Sequence, residues 1–346
     1  MSATIKYQPG KILSFGELLL RITPDAGGEW LKQNSLPFYV GGAELNVATA
    51  LALWGLPSKY FTALPDNGLS AQIIKYLNEK DIDTSPVFFG DGRLGLYFLT
   101  SGQDLKHDAL IYDRADSAFA KLKPGMVDWD KVLEGVTWFH FSAICPAISQ
   151  NVANVCEEVL QAASAKGITI SVDLNYRSKL WKYGKAPREV MPGMAKYCDL
   201  IMGNVWAAET MLGIPVMPDI HESGQQSIYL KEALNSSENI MQQFSKCKAV
   251  ANTFRFDASS EINYYTTLYT GGKFYNSRTW QTTEVTDKVG SGDCFMAGII
   301  YGFCNGLQPA ETLEFATAAA FEQLFVKSDA TDKTVEEIKS KLELAG

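Results

Sequence analysis

The chain has 346 residues, of which 46% are hydrophobic, and a formal net charge of −8, so it can bury a substantial core as two ordinary domains or one large one. An acidic balance without clustered Lys and Arg argues against nucleic acid as a partner, because binding by counterion release needs such clusters. No apolar run approaches the roughly 20 residues that span a bilayer, and residues 1–10 lack the hydrophobic stretch of a signal peptide, so no membrane association and a cytoplasmic location are expected.

Residues 11–22 (KILSFGELLLRI) form an apolar run interrupted by Gly16-Glu17, which predicts a buried first strand that leaves the sheet and continues as a second, more exposed one. After a turn at 24–28, residues 38–40 read as a short strand, Gly41-Gly42 as a turn, and 43–54 as a helix with small and apolar residues on its buried side. A strand at 59–64 and a helix at 67–80 follow, then strands at 94–100 and 109–113, joined by a polar loop and antiparallel. From there the alternation is regular: strand 136–142, helix 149–166, strand 168–173, helix 187–197, strand 198–202, helix 204–212. Such spacing predicts right-handed βαβ units on a parallel sheet. Residues 214–246 are polar and helix-prone; a strand at 248–254 and an edge hairpin turning at Gly271-Gly272 lead to helices at 292–305, 309–325 and 333–344. The chain reads as one α/β domain over 1–346, with strands within 16–40 and 93–115 standing outside the alternation as a lid.

The six cysteines, Cys145, Cys156, Cys198, Cys247, Cys294 and Cys304, include no CxxC pair and read as reduced core residues. The three histidines, His107, His140 and His221, are far apart and offer little to a metal centre. Chemistry concentrates instead in Asp287-Lys288-Val289-Gly290-Ser291-Gly292-Asp293. Two glycines around a serine permit a tight turn with bared amides, and the apolar run at 294–303 has helical length, so the turn is expected on a helix N-terminus. Orphan amides and the positive end of the helix dipole suit a phosphate there, and Asp293 stands where a base accepts the proton of an attacking hydroxyl. A Gly-rich turn with an aspartate cap is at least as common a reading of so short a pattern. Neither a P-loop nor a dinucleotide fingerprint occurs, so a phosphate cradle in this chain is of another kind.

The order Gly41-Gly42 with Asn46 early, Asp173-x-Asn175-x-Arg177 at the end of a central strand, and Asp287-x-x-Gly290-Ser291-Gly292-Asp293 late resembles the ribokinase-like PfkB carbohydrate kinases over nearly the whole chain. The resemblance implies a three-layer α/β/α fold with a mostly parallel central sheet and a small β-strand lid. It also implies ATP and Mg2+ as cofactors, with room for a monovalent cation, and a homodimer formed through the lid. Asp293 becomes the general base, and the amides of Gly290, Ser291, Gly292 and Asp293 the anion hole. Within the family the pattern is similar to the 2-keto-3-deoxygluconate kinases, through Gly16-Glu17, Arg93-x-Gly95-Leu96-Tyr97-Phe98, Tyr112-Asp113-Arg114-Ala115-x-Ser117-Ala118 and Asp173-Leu174-Asn175-Tyr176-Arg177-x-x-Leu180-Trp181. The expected reaction is phosphorylation of that sugar acid on its primary hydroxyl. A carboxylate on the substrate wants a guanidinium, and Arg114 and Arg177 are the candidates. Tyr97 and Tyr112 would add hydroxyls, and Gly41-Gly42 would let the substrate approach the backbone. Tyr97 also fits plain sheet packing, Arg177 a pairing with Asp173, Asn46 a local helix-end bond, and Trp181 and Trp206 packing.

The chain departs from the family pattern in places. Many relatives carry Asn-x-x-Glu before a crossover helix, the glutamate orienting magnesium through water; here Asn204 is followed by Ala207, with Glu209 near but out of phase. Asn204, Thr253 and Arg255 are expected on the nucleotide side, Arg255 against phosphate, and Thr317 stands where relatives often place an asparagine beside adenine. Ser328-Asp329, in place of Gly-Asp, makes Asp329 a substrate contact. Two other readings stay open: a fructokinase or other sugar kinase of the family and, from the missing glutamate, a sugar- or nucleotide-binding protein without catalysis.

Overall fold

The computed structural model describes residues 4–5, 8–24, 30–32, 34–100, 110–222, 224–258 and 261–344; most of the turn expected at 24–28, and the loop at 101–109 with His107, lie outside them. Side chains alternate across a strand, so β1 (Lys11–Phe15) sends Ile12 into one core and Leu13 and Phe15 into another. A sheet with two apolar faces needs helices on both. In chain order the further elements are β2 (Leu19–Ile22), β3 (Phe38–Gly41), α1 (Ala43–Leu53), β4 (Ser58–Phe61), β5 (Ala63–Leu64), α2 (Gly68–Asn78), β6 (Ile82–Asp83), β7 (Phe88–Phe89), β8 (Gly95–Phe98), β9 (Ile111–Asp113), α3 (Trp129–Val132) and β10 (Val136–Ser142). There follow α4 (Gln150–Ala165), β11 (Thr169–Asp173), α5 (Pro187–Ala195), β12 (Leu200–Gly203), α6 (Val205–Leu212), α7 (Gln226–Gln243), β13 (Ala249–Ala258), β14 (Glu261–Thr270), β15 (Lys273–Asn276), β16 (Trp280–Thr282), α8 (Ser291–Cys304), α9 (Pro309–Glu322) and α10 (Val335–Leu344).

The central sheet runs β15-β14-β13-β12-β11-β10-β1-β4-β6, with β16 against β14. Neighbours from β13 to β6 are parallel, and β14 pairs antiparallel at the edge, as the expected hairpin requires. Val47, Phe295 and Ala316 from α1, α8 and α9 fill the core on one face, and Val155, Met191 and Met211 from α4, α5 and α6 fill the other. Strand order reverses between β1 and β10, and in such sheets the crevice beyond the carboxyl ends at the reversal is where ligands bind.

A second sheet, β3-β2-β8-β9, is built from the strands that stood outside the alternation. Gly16, Glu17 and Leu18 alone carry the chain from β1 to β2, which accounts for the charge inside an apolar run. The pairing of β8 with β9 is antiparallel, as expected. The short elements β5, β6, β7, β16 and α3, of two to four residues, are too brief to show a period. Among the described residues no helix is long and apolar enough to cross a membrane.

Candidate active site

Gly290 adopts φ +80°, and a Cβ there would stand 1.9 Å from the Asp329 carbonyl oxygen, so the turn accepts glycine alone. α8 begins at the next residue. The Cys294 amide returns to the Gly290 carbonyl (2.8 Å), which leaves the amides of Ser291, Gly292 and Asp293 as the unpaired first turn. The Ser291 hydroxyl donates to the Ala320 carbonyl (2.9 Å) and so anchors the turn to α9. A Cβ on Gly292 would meet nothing within 4 Å.

Asp293 is buried, and its Oδ2 accepts from Asn46 Nδ2 at 2.7 Å. Asn46 therefore bonds across the cleft, not within its own helix end. Burial pushes the Asp293 carboxyl up to about 7; Glu44 and Asp329 push the same way, against the Asn46 bond and Arg177. A base poised near neutrality suits proton transfer at physiological pH. Asp173, at the end of β11, is likewise raised, by burial and then by Asp293. Glu44 is also buried, its Oε1 accepting from the Ser142 amide (3.0 Å), the Ser142 hydroxyl and the Cys145 thiol. Its Oε2 lies 2.0 Å from where a Cβ on Gly16 would be.

These groups face one cavity of about 670 Å³, within the range of small-molecule sites. Gly42, Asn46, Tyr97, Tyr112, Arg114, Arg177, Asp329, Asn204, Thr253 and Arg255 share its wall with residues 290–293. Three expected residues do not. Gly41 stands behind the wall, where a Cβ would come within 2.1 Å of Asp329 Oδ2, so it makes room for a side chain and not for a substrate. Thr317 is fully buried between α9 and β14, bonded to the Leu313 carbonyl (2.6 Å) and the Thr266 hydroxyl (2.5 Å), which removes it from the adenine side. Glu209 is off the wall because the helical phase of α6 presents Ala207 and Thr210 instead.

Other placements bear on the roles expected. Gly42 lines the cavity, yet its missing Cβ clears the Glu17 carbonyl oxygen, 2.5 Å away. Arg114 is buried and bound to Glu17 through Nε (2.7 Å) and Nη2, so two of its three nitrogens are already engaged. The Tyr97 hydroxyl donates to Asp329. Arg177 differs: Nη1 donates to its neighbour's carbonyl, Tyr176 O (3.1 Å), Nε is buried without a partner, and it forms no ion pair with a described residue, Asp173 included. Asn204 Oδ1 caps α6 at the Ala207 amide (2.8 Å). Lys288 and Arg255 both meet Asp257, at 2.7 and 3.5 Å. Trp206 lines the cavity while lying edge-on to Tyr229. Sequence reasoning missed Glu44 and Arg21; the signal for Arg21 was a cation inside the apolar run 18–23.

A sequence profile described as pfkB family carbohydrate kinase matches residues 10–334. The 2-dehydro-3-deoxygalactonokinase of Haloferax volcanii is 26% identical over 341 residues, 95% of each chain. The crystal structure of 2-dehydro-3-deoxygluconokinase from Thermotoga maritima superposes with a TM-score of 0.86 at 31% identity, over 96% of this chain and 99% of that one. Fructokinase-2 of Zea mays is 25% identical over 317 residues, 89% of this chain and 86% of its own.

Proposed function

The chain belongs to the PfkB family of carbohydrate kinases, with the ribokinase-like α/β fold, and from that premise we propose that it transfers the γ-phosphate of ATP to the primary hydroxyl of 2-keto-3-deoxygluconate. Membership of an enzyme family displaces the binding-only alternative. The observation that carries the acidic-sugar reading is Arg177, a guanidinium in no ion pair with a described residue, on the wall of a cavity that also holds Asp293. A planar fork of that kind receives a carboxylate bidentately. The two relatives named for 2-dehydro-3-deoxy sugars support the same substrate class.

In this mechanism Asp293 takes the proton of the attacking hydroxyl, held in line by Asn46, and the amides of Gly290, Ser291, Gly292 and Asp293 hold the transferring group. Lys288 and Arg255 face the phosphates. Among the described residues no cluster of three or more acidic, His or Cys side chains could hold a metal ion, so magnesium would be carried on the nucleotide's phosphate oxygens, where it would neutralise their charge. The second sheet serves as the lid that excludes water from the reacting groups. The whole chain acts as one domain, in the cytoplasm, and as a homodimer through the outer face of that sheet. There Phe38, Ile22, Phe98 and Ile111 lie side by side across four strands, with Phe38 57% and Ile111 49% exposed, an apolar row that a second copy would cover.

A fructokinase is the second reading, favoured by the Zea mays relative. Assays coupled to ADP release, across 2-keto-3-deoxygluconate, its galacto epimer, fructose and ribose, separate the two; preference for a neutral sugar overturns the proposal. Arg177→Ala is expected to raise KM for the acid roughly 10- to 100-fold, the worth of a charge-assisted pair, with little change for fructose. An equal effect on both would remove the carboxylate clamp.

A further inference from the structure

Arg21 comes from β2 of the second sheet and is fully buried, although no contact with substrate calls for it there. Its Nη1 meets Asp287 Oδ2 at 2.6 Å and its Nε lies 2.7 Å from Asp329 Oδ1, a charge contact without an aligned hydrogen bond. The guanidinium stacks over Tyr39, 4.8 Å from the ring centre. Both carboxylates are struts of the anion-binding turn. Asp287 opens it and accepts from the Val289 amide through Oδ1 (3.1 Å), and the Asp329 carbonyl lies against Gly290. Left alone, two buried carboxylates beside a phosphate site would oppose each other and the incoming anion.

We propose that Arg21 is a positioning residue for phosphoryl transfer, a fixed cation between Asp287 and Asp329 that holds the anion-binding turn in shape in place of a dissociable monovalent cation. Because it reaches the turn from the second sheet, it also ties the seating of that sheet to the formation of the cradle. A buried guanidinium flanked by two carboxylates is the kind of group whose removal leaves a hole matched to a small free cation.

The proposal rests on the kinase reading, and wild-type turnover judges that reading separately. In tetramethylammonium buffer, wild-type kcat is expected to change less than about 2-fold when KCl or NaCl is added to 100 mM; strong activation by either overturns the proposal whatever the variants do. Arg21→Ala is expected to lose roughly 10²-fold in kcat with a small change in the sugar KM, and to recover at least about 10-fold, saturably, with millimolar guanidinium chloride. The same titration should restore the ATP-induced rise in its melting temperature, a readout independent of turnover. Full activity without guanidinium, or a folded variant that guanidinium does not rescue, overturns it. Arg21→Lys keeps the charge and guards against misfolding of the alanine variant: a fall in kcat of about 10-fold, indifferent to guanidinium, is expected, and wild-type kcat in Arg21→Lys would show that the fork is not needed.

Discussion

The two ends of the cavity, proposed for phosphate and for sugar, are made by different means. At the phosphate end a single stretch, residues 287–293, offers backbone amides at the start of α8, and the groups that hold it are a glycine conformation and a few struts. At the sugar end side chains arrive from both sheets and several loops, and most are already committed to one another: Arg114 to Glu17, Tyr97 to Asp329, Glu44 to Ser142. A backbone site recognises a charge and a shape that every nucleotide shares; a side-chain site recognises one sugar through the groups its internal pairs leave over. Arg177 is such a group. On the proposed function, the chemistry is vested in the contiguous half and the choice of substrate in the dispersed half.

Three substitutions test that division, from the largest expected effect to the smallest. Asp293→Asn removes the proposed base, which every accepted sugar would use, so kcat should fall roughly 10²- to 10⁴-fold for each, with nucleotide affinity kept; a loss confined to one sugar would break the division. The same variant carries a stability signature. Burial holds the folded Asp293 carboxyl up at about 7, well above the ordinary aspartate value, so the folded state binds this proton more tightly, and stability from this group is lost as pH rises from the ordinary aspartate range through about 7. Asp293→Asn should therefore melt higher than wild type at pH 8, and the gain should shrink as pH falls toward 4 in calorimetry. Gly290→Ala strains a left-handed residue and pushes on the Asp329 carbonyl. It should cost about 1–3 kcal/mol in chemical denaturation and raise KM for ATP more than for the sugar. Asn46→Ala joins the two halves: loss of the bond to Asp293, which opposes the upward shift, should move the acid limb of kcat/KM to higher pH, and an acid limb that stays in place would detach Asn46 from the base.

The same division governs what could be read without coordinates. The turn at 287–293 is contiguous, and the helix behind it is long and apolar, so its local structure followed from residue types. The long strands and helices of the βαβ series followed from their periods. Pairings across the chain leave no such trace: Asn46 and Asp293 are 247 residues apart, and Arg21 and Asp287 are 266 apart. The pairing of Arg114 with Glu17, 97 residues earlier, leaves no trace either. Thr317 was misread for another reason. A polar residue among alanines in a helix looks like a contact, yet its hydroxyl is satisfied by the carbonyl one turn back and by Thr266.

Several cavity acids occupy volume that glycines leave empty, Glu44 at Gly16 and Asp329 at Gly41. Mutational drift at such sites is gated. A side chain at Gly16 or Gly41 requires the carboxylate opposite to move or shorten, so a change at the glycine disturbs the acid with it. A glycine off the cavity wall thus sets where a carboxylate on that wall can stand, and with it the shape offered to a new substrate.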